Sequence, residues 1–469
     1  MKTLVFCAVA LLFPFTLLAA NGPSHAGFEV TPAMAATARQ LMERARQDNR
    51  AYEIVESLTT EVGPRLAGTE AEKRARQWAV ARLTALGFAN VRVESFQVPL
   101  WERGAQQAEI ITPFPQPLAI ATLGGSASTG PQGVTAEVVS FASLADLQSA
   151  GEDAVRGKIV FIDEPMARSR DGSGYSIAVA KRRETAFAAQ RLGARAALIR
   201  SVGTSSHRFA HTGQMRRIDY QGPSGVPIAA LAAPDADQLQ RNLKRGKPVV
   251  VKLVMTPQLS PPSASGNVIA EIPGRTVPQE IVLVAAHLDS WDLGTGAIDD
   301  GAGVAIIVAA AKLLMDVLPQ APRRTIRLVL FGAEEVGVVG AQAYAERHAQ
   351  ELSNHIIATE SDFGAGDIWR FDSGVPDNKL PLIAAIAQQL LPLGIEPGNN
   401  DATGGPDIVY LREAGVPVVG LKQDGWDYFD LHHTADDTLD KIAPGALDQN
   451  VAAYAAYLYL AAEVSADFR

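Results

Sequence analysis

From residue 266 onward the sequence alternates between apolar runs of strand length and longer runs with helical spacing. That alternation narrows the fold more than any other feature. NVIAEIPG and EIVLVAAHLD read as strands, GVAIIVAAAKLLMDVL as a helix, RTIRLVLFGAEE as a strand, GAQAYAERHAQEL as a helix and HIIATESDFG as a strand. LPLIAAIAQQLLPLG, VPVVGLKQ and NVAAYAAYLYLAA continue as helix, strand and helix. Strands this apolar need cover on both faces, so the pattern predicts an α/β fold with a mixed, largely parallel sheet between helical layers.

The chain has 469 residues, more than one hydrophobic core usually holds, so a second unit is expected. Residues 31–82 carry helical spacing and VRVESFQVPLWERG alternates like a strand. Between 114 and 260 the pattern changes to short strands punctuated by Gly and Pro: GVTAEVVSFA, GKIVFIDEP, ARAALIRSV, GVPIAALAA and KPVVVKLVM, with KRRETAFAAQRLG as a helix among them. LSPPSASG at 259–266 reads as a turn-rich return segment. The division expected is a leader at 1–20, an N-terminal part of the main domain at 21–113, an inserted β-rich α/β domain at 114–260, and the rest of the main domain at 261–469.

Two features bound the chemistry. The formal charge of -9, with no basic run, excludes a polyanion such as nucleic acid as main partner. The N-terminus combines Lys2, an apolar run from Leu4 to Ala20 and small residues at its end, the pattern of a cleaved export signal rather than a membrane span. A secreted or periplasmic location is therefore expected. Cys7 is the only cysteine and leaves with the leader, so a metal site in the mature chain must use His and carboxylates.

Such residues gather where strands end. AAHLD closes on His287 and Asp289, LFGAEE on Glu334 and Glu335, and IATESD on Glu360 and Asp362. Loops add Asp299 and Asp300, then His432 and His433 in HHTADDT. Ligands of open α/β sheets bind beyond the carboxyl ends of the strands. Carboxylates this crowded repel one another, and divalent cations resolve the conflict. Two histidines and three carboxylates, one bridging, suit a pair of zinc ions, whereas magnesium and calcium prefer oxygen alone. The adjacent glutamates allow one to bind metal while the other accepts a proton from water. Asp289 is placed to hold the His287 ring in the tautomer that faces the metal.

The ordered set H-x-D, D-D-G, E-E, S-D and H-T-x-x-D-T resembles the co-catalytic zinc aminopeptidases and carboxypeptidases of the M28 family. HLDSWDLGTGAIDDGAG is most like the carboxypeptidase Q branch. The likeness covers about residues 45–110 and 260–465, and the insertion resembles a protease-associated domain. The resemblance implies a zinc-exopeptidase, phosphorylase/hydrolase-like fold and two Zn2+ per chain. His287 and Asp362 would hold one ion, Glu335 and His433 the other, with Asp299 bridging and Glu334 as general base. It further implies a peptide or dipeptide substrate and a homodimer.

Other residues carry plainer readings. One of Asp299 and Asp300 also suits a helix N-cap. His432 reads as packing, His348 and His355 as flanking a surface helix end, and His207 and His211 as structural or exposed. Ser290, Trp291 and Asp292 either line a pocket or shape their loop; Tyr428 and Phe429 either cover the site or pack. No G-x-S-x-G elbow occurs, and GPSGVP lacks a strand-to-helix setting. The expected activity is that of an exported di-zinc exopeptidase on dipeptides or short peptides. A metallo-aminopeptidase for longer peptides and a non-catalytic receptor on the same fold are the alternatives.

Overall fold

The structure, a computed structural model, describes residues 30–48, 50–216 and 225–469. The expected leader, Cys7, His25 and the start of GPSGVP lie outside the described residues. Among those described, no helix is long and apolar enough to cross a membrane.

The main sheet has eight strands in the order Ala89–Glu102, Gln258–Ile272, Arg324–Phe331, Val277–His287, His355–Glu360, Val418–Gln423, Ile368–Gly374 and Glu396–Pro397. Arg324–Phe331, Val277–His287, His355–Glu360 and Val418–Gln423 run parallel to one another. The neighbours on each side, Gln258–Ile272 and Ile368–Gly374, pair antiparallel, so the sheet is mixed about a parallel centre.

Val277–His287 shows why these runs are so apolar. Val282, Val284 and Ala286 point into one core with the helices Ala302–Val317 and Asp448–Glu463, while Ile281, Leu283 and Ala285 point into another with Ala341 and Tyr344 of Val339–Arg347. Ala302–Val317 is buried almost all round, because Pro32–Ala45, Arg50–Glu61 and Asp448–Glu463 cover the side that the sheet does not.

The return segment is not a turn. Residues 259–266 belong to Gln258–Ile272, which pairs antiparallel with Ala89–Glu102. Pro261 and Pro262 fit because the register shifts where they lie, between the Val98–Ser263 and Leu100–Ser260 pairs, and a bulge tolerates a residue with no N–H to give.

A second eight-stranded sheet is built from strands between Gln106 and Met255. Its centre, Val134–Phe141, Ile159–Ile162, Ala196–Arg200 and Ile228–Leu231, is also parallel. Ser173–Arg191 packs on one face through Ala178, Ala186 and Ala189, and Ala233–Leu243 on the other through Ala236 and Leu239.

Ile306 is fully buried where Ala302–Val317 meets the sheet. Ile306→Ala is expected to lower unfolding free energy by about 2–5 kcal/mol in urea titrations, the cost of removing a large aliphatic group from a packed core.

Candidate metal centre

Parallel register sets the site. His287 ends its strand opposite Phe331, so the turn after Phe331 delivers Glu334 and Glu335 beside it. On the other side Ala285 lies opposite Glu360, which brings Asp362 alongside. Asp299 arrives from the loop that follows His287, and His432 and His433 from the segment after the short helix Tyr428–Leu431.

Asp299 stands at the middle. Its Oδ1 is 3.0 Å from His287 Nε2, and its Oδ2 is 3.3 Å from His433 Nε2. His287 Nε2 also lies 3.5 Å from Asp362 Oδ1, and His433 Nε2 lies 2.9 Å from Glu335 Oε2. His432 stacks on His433 with ring centroids 3.5 Å apart, and its Nε2 is 3.6 Å from Asp299. Three overlapping groups have donor atoms within metal-binding range: His287, Asp299 and Glu335; His287, Asp300 and Asp362; Asp299, His432 and His433. Asp299 Oδ2 and Glu335 Oε1 are buried with no hydrogen-bond partner, as oxygens meant for a cation would be.

The charges respond to one another. Burial opposes protonation of His287 and His433. Asp299 and Asp362 nevertheless hold His287 well above the usual imidazole range, and Glu335 and Asp299 do the same for His433. Burial, reinforced by Asp362 and Glu335 against the pull of His287, pushes the Glu334 carboxyl well above its usual value. Removing a carboxyl from water favours its neutral form, which is the direction a proton-carrying group needs.

Each donor is held by groups behind it. His287 Nδ1 donates to the backbone carbonyl of Asp289 at 3.0 Å, which turns Nε2 towards Asp299 and Asp362. The Asp289 carboxylate, expected to orient that ring, lies 3.8 Å from His287 Nδ1 and accepts from the backbone N–H groups of Glu334 (3.1 Å) and Glu335 (3.3 Å), so it also holds the acidic turn. Asp300 accepts from the N–H of Gly303 at 3.0 Å and of His287 at 3.1 Å, so it caps the helix Ala302–Val317 and ties it to the strand. Ala333 and His433 adopt left-handed φ values of 60° and 62°, which turn the chain sharply at Glu334 and at the second histidine.

Several supporting groups carried no functional signal in the sequence. Asp437 accepts from the backbone of Ile298 (2.6 Å) and Asp299 (3.2 Å); it lies inside the H-T-x-x-D-T pattern, the one hint available. Arg65, fully buried, donates to the carbonyls of Leu288 (2.5 Å), Thr295 (2.7 Å) and Gly296 (2.9 Å), closing the loop between His287 and Asp299. The second sheet contributes as well. His211 Nδ1 donates to the His432 carbonyl at 2.7 Å, Thr212 N–H to the His433 carbonyl at 3.0 Å, and Thr204 N–H to the Phe429 carbonyl at 3.0 Å.

A cavity of about 620 Å³ opens over Asp299, Glu334, Glu335, Glu360 and Asp362. Tyr428 and Phe429 line it, and Tyr175, Arg182 and Gln214 form a wall from the second-sheet region. Ser290 accepts from the Arg65 N–H at 3.2 Å and Asp292 pairs with Arg103 at 2.5 Å, so both shape the loop. Trp291 is buried beside His433, ring centroids 5.8 Å apart. His348 contacts Glu94 at 3.0 Å, and His355 accepts from Tyr344 Oη at 2.8 Å; both are buried structural groups away from the cleft.

The signature of peptidase family M28 matches residues 267–458. Carboxypeptidase Q of Rattus norvegicus is 37% identical over 420 residues, spanning 89% of this chain and 86% of that protein. The crystal structure of a peptidase M28 precursor from Shewanella amazonensis superposes with a TM-score of 0.90 and 50% identity, covering 93% of this chain and 98% of that one. A zinc aminopeptidase from Bacillus subtilis shares the fold at a TM-score of 0.65 and 23% identity, over 88% of this chain and 94% of that one.

Burial lowers the His211 pKa from 6.5 to about 4. A histidine kept neutral in the fold contributes stability that is complete above the unfolded value and lost as pH falls through the folded one. Urea titrations from about pH 7 down to about pH 4 should therefore show unfolding free energy declining, and His211→Asn should flatten part of that decline. An unchanged acid limb in the variant would refute the assignment.

Proposed function

Because the chain belongs to peptidase family M28, we propose that the cleft over Asp299 is the active site of an exported di-zinc exopeptidase for dipeptides or short peptides. The observation that carries this reading is the position of Asp299, with one oxygen against His287 and the other against His433, and each histidine beside a further carboxylate. On this reading His287 and Asp362 hold one ion, Glu335 and His433 the other, and Asp299 is shared. The unpartnered oxygens of Asp299 and Glu335 support it. His433 is preferred to His432 because it also reaches Glu335, while His432 packs flat against it. Asp300 is spoken for by two backbone N–H groups, which favours a capping role over a ligand role.

Zinc bound there supplies electrophilic polarisation of the scissile carbonyl and makes the attacking water more acidic. Glu334 lines the cavity next to this cluster and is held by Asp289 through its backbone. It takes the proton of the attacking water and passes it to the leaving amine. The second-sheet unit, read as an inserted domain, closes one side of the cleft and keeps out bulk water.

Two substitutions separate the roles. Glu334→Gln should keep its metal, measured by elemental analysis, while turnover of an unblocked dipeptide falls by about 10²-fold or more. Asp299→Ala should instead lose metal together with activity. Retention of both zinc ions by Asp299→Ala would refute the shared-ligand assignment, and substantial turnover by Glu334→Gln would remove it as the base. Wild-type activity should disappear with a chelator and return with zinc.

A further inference from the structure

One part of the cleft is lined by Thr403, Gly404 and Gly405 together with Gly420, Leu421 and Lys422, near the end of the strand Val418–Gln423. On this strand Val418 faces the core that holds Ala402, Ile408 and Leu411. Gly420 and Lys422, two and four residues on, therefore face the same way, nearer the carboxyl edge of the sheet. The lysine stem folds back over the glycine: a Cβ at Gly420 would lie 3.6 Å from Cε and 4.0 Å from Nζ of Lys422. Three of the six lining residues are glycines, which leaves room in front of the ammonium. Among the described residues Lys422 has no hydrogen bond or ion pair.

The neighbouring strand makes that lack sharper. Lys422 stands directly opposite Arg370 in the antiparallel pair, a position where like charges repel. Asp372, on the same face, accepts from Arg370 Nη2 at 2.9 Å and from the backbone N–H of Asn399 at 3.0 Å, and it stands opposite Gly420 rather than Lys422. Two cations thus have one carboxylate between them, and it is committed to Arg370. The surplus charge belongs to Lys422, half-buried in the wall of the cleft.

The groups beside this pocket say which part of a substrate enters it. The Glu360 N–H donates to the Gly404 carbonyl at 2.8 Å, and a Cβ at Gly405 would lie 2.3 Å from Glu360 Oε2. The pocket therefore adjoins Glu360 and, two residues on, Asp362, while His433 lies across Asp299 from His287 and Asp362. Glu360 lines the cavity, and its Oε1 is buried without a hydrogen-bond partner. That oxygen is an open acceptor for a free α-ammonium, so the amino-terminal residue is the one whose side chain meets Lys422.

We infer that Lys422 selects substrates whose amino-terminal residue carries an acidic side chain, its ammonium pairing with that carboxylate. The inference rests on the peptidase reading of the cleft. A carboxylate on the second residue, in its side chain or at its terminus, is the other source of the same chemistry.

The test compares zinc-loaded wild type, Lys422→Gln, Lys422→Arg and Lys422→Glu on Glu-Ala, Gln-Ala, Lys-Ala and Ala-Glu. Wild type should show a kcat/KM for Glu-Ala roughly 10- to 100-fold above that for Gln-Ala. Lys422→Gln should abolish this preference, mainly by raising KM for Glu-Ala, and stay within about threefold of wild type on Gln-Ala. Lys422→Arg should keep part of the preference, and Lys422→Glu should shift it to Lys-Ala. No preference for Glu-Ala in wild type would overturn the inference. So would a loss confined to Ala-Glu, or equal losses on all four dipeptides, because the ammonium would then hold the second residue's side chain, hold its terminus, or merely pack. Calorimetric titration with glutamate and glutamine, which differ only in the side-chain carboxyl, reads the pocket without turnover. Wild type should bind glutamate about tenfold more tightly or better and Lys422→Gln should not; equal affinities in wild type would overturn the inference. Absence of hydrolysis of every dipeptide by wild type, with the glutamate preference intact, would count against the peptidase reading instead.

Discussion

The structure is organised around a repulsion. Five acidic side chains, Asp299, Glu334, Glu335, Glu360 and Asp362, share one cavity at the carboxyl edge of a parallel sheet, and removal from water makes charge harder to hold at Glu334, Glu335 and Glu360. Asp299 relieves this only in part by standing between two histidines. The rest of the local architecture consists of groups that keep the acids where they are: Asp289 under the turn of Glu334 and Glu335, Asp437 under Asp299, Asp300 between strand and helix, and Arg65 across the loop. Three of these four supports are themselves buried aspartates whose oxygens accept backbone N–H groups. Acids thus serve both as the reactive set and as its frame, and only the direction of their hydrogen bonds tells the two apart.

That distinction explains how much of the site could be read in advance. The residues that crowd the strand ends stand out in a string of letters because charge is rare after an apolar run, and three adjacent parallel strands deliver them to one place. The role of Asp289 was not legible. Its backbone carbonyl, a group every residue possesses, meets His287, while its side chain turns to a segment 45 residues later. Arg65 was hidden for the same reason: the hydrogen-bond partners of its side chain are carbonyls, and carbonyls leave no mark in the sequence.

The alternation from residue 266 onward gave the parallel centre and its helical cover correctly, since a strand buried on both faces has little choice of composition. It failed at 259–266, where Pro261 and Pro262 suggest a turn. Proline signals the absence of an N–H donor, and a strand with a register shift can accommodate that absence without ending. The contribution of the second-sheet unit was missed because it carries no acidic cluster. Its part is played by His211 and Thr212 through backbone carbonyls, and by a cation, Arg182, rather than by donors of the metal-binding type.

The brace from residues 211–212 to the carbonyls of His432 and His433 reaches from the loops of one sheet to those of the other. His287 and His433 are far apart in the chain, and the segment that steadies the second of them lies between Ala196–Arg200 and Ile228–Leu231, strands of the other sheet. The main sheet and its loops carry His287, Asp299, Glu335, Asp362 and His433, but not the donors at residues 211 and 212. The second histidine is therefore steadied by this brace only where the loop at 211–212 is seated against its segment.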